Sequence, residues 1–182
     1  KATMELPRGL TVRIAQRKGG WVRVVMDKPF LTRGWVQSIG VGQILMSNSY
    51  IYSGPAGDEP VGFLQQGVMV RPGRRQGRRT LVTLHHYLPM QVWVPTDKIG
   101  IAWGPYKSLR FRYYCRWQRY VYEVKPGPIY ASSKGRKRIA FLTKAAKMKT
   151  ETRSGKWVRV SSPSDYDIKI KGWVPASRVL TR

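Results

Sequence analysis

One cysteine, Cys115, and two histidines, His85 and His86, are the only side chains here that could pair a thiol nucleophile with an imidazole base. That chemistry needs the imidazole within hydrogen-bond reach of the thiol and a third group to orient it. The histidine stretch "LHHYLPM" brings no third group, and Cys115 lies inside "SLRFRYYCRWQRYVYEV", where it reads as a small apolar strand residue. The carboxylates are equally short of partners. Asp58 and Glu59 stand in the turn "PAGDEP", and Asp165 and Asp167 in "SSPSDYDIK", contexts that belong to caps and solvated loops. "RPGRRQGRR" (Arg71 to Arg79) has glycines but lacks the Lys and Ser/Thr of a phosphate-cradling loop. A single cysteine allows neither an intrachain disulfide nor a cysteine-based zinc site. We expect no catalytic residues, no metal and no cofactor.

Cations are what the sequence supplies in quantity. Lys and Arg number 34 against 9 Asp and Glu, a formal charge of +25. A balance so basic implies an acidic partner: nucleic acid, an anionic cell-wall polymer, a membrane surface or an acidic protein. No acid occurs between Glu59 and Asp97, between Asp97 and Glu123, or between Glu123 and Glu151, so several faces are expected to be basic. The expected contacts to an anionic polymer are Arg71, Arg74, Arg75, Arg78 and Arg79 in one cluster and Arg136, Lys137 and Arg138 in another. A third set, Arg110, Arg112 and Arg116, alternates with Leu109, Phe111, Tyr113, Cys115 and Trp117, which gives a strand with one apolar and one basic face. Such a strand is either an edge protected by its arginines or an aromatic and arginine surface for an anionic polymer.

The elements that must position these groups read as strands. Hydrophobic residues make up 42% of the chain and aromatics 12%, enough for real cores. The apolar segments are short, rich in Val, Ile, Thr and aromatics, and bounded by Gly, Pro, Ser and Asp. In "WVRV" the alternation sets Val158 and Val160 on one face, the expected core, and Trp157 and Arg159 on the other. No apolar run approaches the roughly 20 residues a membrane-spanning helix requires, and "KATMEL" has no signal-peptide pattern.

Internal repetition organises the strands. "IYSGPAGDEPVGFLQQGVMVRP" (Ile51 to Pro72) aligns without a gap with "IYASSKGRKRIAFLTKAAKMKT" (Ile129 to Thr150), and "VWVPTDKI" parallels "GWVPASRV". "ELPRGLTVRI" (Glu5 to Ile14), followed by Trp21 and Trp35, starts a further copy that lacks the opening "IY" segment. The expected division is 1–46, 47–101, a bridging stretch 102–125, and 126–182. A first copy without its opening strand leaves an open edge, to be completed by residues upstream of Lys1, by Leu109 to Tyr122, or by a neighbouring subunit.

The run "PIYASSKGRKRIAFLTK", "SGKWVRVSS" and "KGWVPASRVL" (Pro128 to Leu180) resembles the bacterial SH3 (SH3b) domain family. The second copy resembles it less, with Leu81 at the central Trp, and in the first Gln37 replaces the proline of "GWVP". The resemblance implies an all-β protein of tandem small SH3-like barrels, each strongly bent and five-stranded. It also implies valines inside the barrel, and surface-cleft or rim positions for Trp21, Trp35, Tyr52, Trp93, Tyr130, Trp157 and Trp173. Family members often bind peptidoglycan or another protein in the bacterial envelope. Some carry a cysteine peptidase domain, but its order of Cys before His is reversed here. The segment is also similar to the one that builds the polyproline groove of eukaryotic SH3 domains, yet Arg178 stands where that groove presents a tyrosine and favours an anionic ligand.

The expectation is therefore a non-enzymatic envelope protein that engages anionic cell-wall polymer, or neighbouring proteins in a larger assembly. It would be periplasmic, cell-surface or secreted if an export signal preceded it. The rival is a nucleic-acid-binding or ribosome-associated basic barrel, which would be cytoplasmic.

Overall fold

A computed structural model describes residues 10–26, 32–37, 41–57, 59–84, 88–103, 121–163 and 168–180. The protein is all-β, with 67% strand and 4% helix. The first strands are β1 (Leu10–Thr11), β2 (Arg13–Lys18), β3 (Trp21–Met26) and β4 (Thr32–Gln37). Next come β5 (Val41–Leu45), β6 (Ser49–Tyr52), β7 (Pro60–Leu64), β8 (Arg71–Gln76), β9 (Arg79–Thr83), β10 (Met90–Pro95) and β11 (Ile99–Trp103). The last are β12 (Val121–Val124), β13 (Gly127–Tyr130), β14 (Arg138–Leu142), β15 (Ala146–Ser154), β16 (Trp157–Ser161), β17 (Ile168–Pro175) and β18 (Val179–Leu180). Single 3-10 turns at Thr96–Lys98 and Ala176–Arg178 follow the two "WVP" strands, where proline ends the ladder.

Three hairpins are built alike: β2–β3, β8–β9 and β15–β16. Each turns on a left-handed glycine, Gly19, Gly77 and Gly155, at φ of 54°, 59° and 55°. Only glycine adopts that backbone without steric cost, so these glycines fix where the chain reverses. The ladder register also shifts at the same distance before each glycine, after Ile14, Pro72 and Thr150. A third strand then joins each hairpin in one register: Arg23 opposite Trp35, Leu81 opposite Trp93, and Arg159 opposite Trp173. Leu81 therefore matches Arg159, and Arg79, not Leu81, stands in the place of the central Trp157. Alternation along these strands buries Val22, Val24, Val82 and Val160, and Val158 packs against the same core as Val160.

Six strands close into a barrel. β6–β7 and β13–β14 are hairpins, β10 pairs with both β6 and β14, and β17 pairs with both β13 and β7. Met90 lies opposite Leu142, and Ile168 opposite Leu64. The resemblance implied five strands; the ring has six because β10 and β17 each reach from their own hairpin to the other one. Closure leaves no free edge in the ring. Its interior is one apolar cluster that includes Leu45, Ile51, Leu64, Val92, Ile129, Leu142 and Val174.

The sheet β2–β3–β4 covers a smaller core of Val12, Val22, Val24 and Met26, with Val36, Val41 and Ile101 against it. β11 links this region to the ring, pairing with β1 through Leu10 and Trp103 and with β5 through Ile99 and Leu45. β11 does not take the place of the missing opening strand: that place is beside β4, and among the described residues nothing pairs there. Of Leu109 to Tyr122, all but Val121 and Tyr122 lie outside the described residues, and those two pair with β15.

Candidate binding surfaces

The seven aromatic residues expected at clefts fall into three groups. Trp21 and Trp35, 48% and 43% exposed, stand on the outer face of β3 and β4. With Lys18, Gly19 and Gly20 they line an open depression of about 470 Å³. Tyr52 and Trp93 lie side by side on β6 and β10. Trp93 is buried, the Arg79 guanidinium lies 3.6 Å from the Tyr52 ring centroid, and that of Arg74 is 5.7 Å from Trp93. In the third group Tyr130 is opposite Trp173 and meets Trp157 edge-on at 5.4 Å, with Arg159 at 5.9 Å from Trp173. Aromatic and cationic side chains thus cover one another in two groups, and the first presents bare rings among the described residues.

The cations divide in a similar way. Arg71, Arg74, Arg75 and Arg78 are exposed along the β8–β9 hairpin. Arg75 donates to the Gly77 carbonyl at 3.5 Å and Arg153 to the Gly155 carbonyl at 3.2 Å, so both arginines fold back on their own turn. Arg79 is half-buried and donates to the Gly54 carbonyl at 3.1 Å. Arg136 and Arg138 are exposed, and Lys137 bonds Glu59 at 2.8 Å, tying the 127–142 hairpin to the 49–64 hairpin. That hydrogen bond and the Lys137 charge lower the Glu59 pKa.

Arg178 is turned inward. Its Nε donates to the Lys125 carbonyl at 3.2 Å, and Nη1 donates to the Pro128 carbonyl. Burial lowers its pKa, against the pull of Tyr130 in the other direction. The guanidinium thereby fastens the turn between β12 and β13, where Gly127 at φ 135° lies against it. Arg110, Arg112, Arg116, Cys115, His85 and His86 lie outside the described residues. Among the described residues no three His, Cys, Asp or Glu side chains form a metal-binding group, and no helix is long and apolar enough to cross a membrane.

Glu151 is a polar centre that residue patterns did not single out. It is the extra residue at the bulge between Thr150 and Thr152, and bulges re-aim side chains. Its carboxylate lies 2.6 Å from Lys171 Nζ and 3.8 Å from Arg159 Nε, an approach across three strands that spacing along the chain does not reveal. Burial raises its pKa, but the hydrogen bonds from Lys171 and Ser161 and the charges of Lys171 and Arg159 outweigh that and lower it. A lowered carboxylate pKa stabilises the fold above the unfolded-state value, and the gain is lost as pH falls through the folded value. Acid titration of unfolding is expected to show this loss as pH falls below the ordinary glutamate value of about 4.3, and Glu151→Gln should flatten it while leaving the neutral-pH fold intact.

No known family model matches this chain, and no curated protein is found to be similar to it.

Proposed function

We propose that the chain is a non-enzymatic binding protein of SH3b-like repeats that holds anionic cell-wall polymer, peptidoglycan or its attached polymers, within a larger envelope assembly. The observation that carries this reading is the three like hairpins, each lined with exposed cations. These are Arg17, Lys18 and Arg23 on β2–β3, Arg71, Arg74, Arg75 and Arg78 on β8–β9, and Lys147, Lys149, Arg153 and Lys156 on β15–β16. Carboxylates and phosphates of a wall polymer would meet them through screened, multivalent attraction. Basic hairpins steer such a polymer, and nearby aromatic faces add specificity. The repeat pattern and the "GWVP" strand at 172–175 support the SH3b likeness.

A second reading has its own support. Bare Trp21 and Trp35 rings beside Lys18 and Arg23 suit the stacking of unpaired bases. Retention on wall sacculi, duplex DNA and RNA at two salt concentrations separates the two. The expected result is tighter retention on sacculi at physiological ionic strength, lost as salt rises. Tighter retention on nucleic acid would put the second reading first, with affinity falling roughly a thousandfold between about 50 and 200 mM salt. Replacing Arg71, Arg74, Arg75 and Arg78 together by Gln should weaken retention, and each exposed change should alter stability by no more than about 0.5 kcal/mol.

A further inference from the structure

Among the described residues the first sheet lacks a neighbour that its two counterparts have. In the barrel, the strand carrying the tryptophan pairs outward with an opening strand: Trp93 with Tyr52 of β6, and Trp173 with Tyr130 of β13. Among the described residues nothing pairs with the outer edge of β4, where Trp35 holds the same position.

The segments that begin with those tyrosines also cover the next residue of the hairpin. Arg79 lies against Tyr52 and bonds the Gly54 carbonyl. Trp157 meets Tyr130, and a Cβ at Gly135 would fall 2.8 Å from the Trp157 ring. Trp21, in the matching place beside Gly19, lines the open depression instead.

The glycine before Trp173 and Trp35, where the second sheet has Val92, gives a third comparison. A Cβ at Gly172 would meet Ile129 at 2.5 Å and the Tyr130 carbonyl at 2.8 Å, both in the opening strand. A Cβ at Gly34 would meet nothing within 4 Å.

We propose that the outer edge of β4 and the Trp21–Trp35 depression receive one extended segment of a partner protein, an acidic strand with a tyrosine opposite Trp35. Its backbone extends the β2–β3–β4 sheet, in the strand-addition mode that couples main-chain hydrogen bonds to side-chain pockets. Its tyrosine covers Trp21 and Trp35 as Tyr130 covers Trp157 and Trp173. Exposed Arg17, Lys18, Arg23 and Arg33 on the same sheet set the charge of the incoming segment. The barrel's own strand pairings support this docking independently of any polymer binding.

The test uses the full chain and a synthetic peptide of Gly127 to Ser133 flanked by glutamates, with a Tyr130→Ala peptide, an RNA homopolymer and a peptidoglycan oligosaccharide as comparisons. Tryptophan fluorescence and amide hydrogen exchange are the readouts. The expected result is slowed exchange in Thr32–Gln37, a blue shift in emission, and roughly tenfold weaker binding of the Ala peptide, as loss of an aromatic contact implies. Trp35→Ala, which removes an exposed ring, should fold normally and bind the peptide roughly tenfold more weakly. Peptide at about 1 mM, the weak end of measurable affinity, that leaves exchange in β4 unchanged would overturn the proposal. So would equal binding by Trp35→Ala, or emission shifts given only by the RNA or the oligosaccharide.

Discussion

Gly172→Val is expected to prevent folding of the barrel. A Cβ at this buried position would lie 2.5 Å from Ile129 Cγ2, 2.8 Å from the Tyr130 carbonyl oxygen and 2.9 Å from Ile139 Cδ1. The isoleucines are core side chains, 0% and 3% exposed, with no free space to move into. The carbonyl is backbone of β13 where it pairs with β17, so relief would break the contact that closes the ring. Overpacking in a core costs about 1–3 kcal/mol when side chains alone must adjust. Displaced backbone adds lost hydrogen bonds, which brings the total near the whole stability of a small domain, about 5–15 kcal/mol. Urea unfolding followed by circular dichroism checks it, with Gly34→Val as the matched control; a wild-type midpoint for Gly172→Val would show that β13 and β17 do not approach this closely. Gly62→Val should act in the same way on the other seam of the ring, since its Cβ would lie 2.5 Å from the Lys169 carbonyl oxygen.

Much of this arrangement can be read from the sequence, because it depends on local chemistry. Alternating valines beside Gly-Trp and Trp-Val pairs specify strands with one buried face, and Val22, Val24 and Val160 are buried as that pattern implies. Turn glycines at positions 19, 77 and 155 set the hairpins. What the pattern lacks is the choice of partner across the ring. β10 pairs with β14 and β17 with β7 through contacts such as Gln91 with Phe141 and Lys169 with Phe63, which no charge or size complementarity marks out. That pairing follows from the shape of the shared core, a property of the folded chain.

The cations show the same limit. Along the chain Arg178 is one more arginine after "GWVP", and only the β12–β13 turn brings the Lys125 and Pro128 carbonyls to its guanidinium. Arg79 differs from its neighbours Arg74, Arg75 and Arg78 because Tyr52 and the Gly54 carbonyl lie beside it. A guanidinium satisfied by backbone carbonyls of its own chain serves the fold, whereas one projecting from a hairpin tip is open to a polymer. Composition counts both equally.

Trp93→Ala should cost about 3–5 kcal/mol, the range for truncating a large buried aromatic, whereas Trp35→Ala should cost no more than about 1 kcal/mol. The two tryptophans hold the same register position in matching sheets, opposite Leu81 and Arg23. Sequence context therefore predicts similar effects, and burial separates them: Trp93 is 7% exposed and flanked by Tyr52 and Arg74, while Trp35 is 43% exposed. Trp173, half-buried against Tyr130 and Arg159, should fall between them. Chemical denaturation of the three variants orders them directly, since a change of midpoint at constant slope reports stability alone. Equal losses for Trp35→Ala and Trp93→Ala would mean that the first sheet is already covered in the isolated chain. The expected order instead leaves Trp35 as a side chain whose contribution comes when a partner arrives, the property that distinguishes a docking residue from a core residue in an otherwise matching strand.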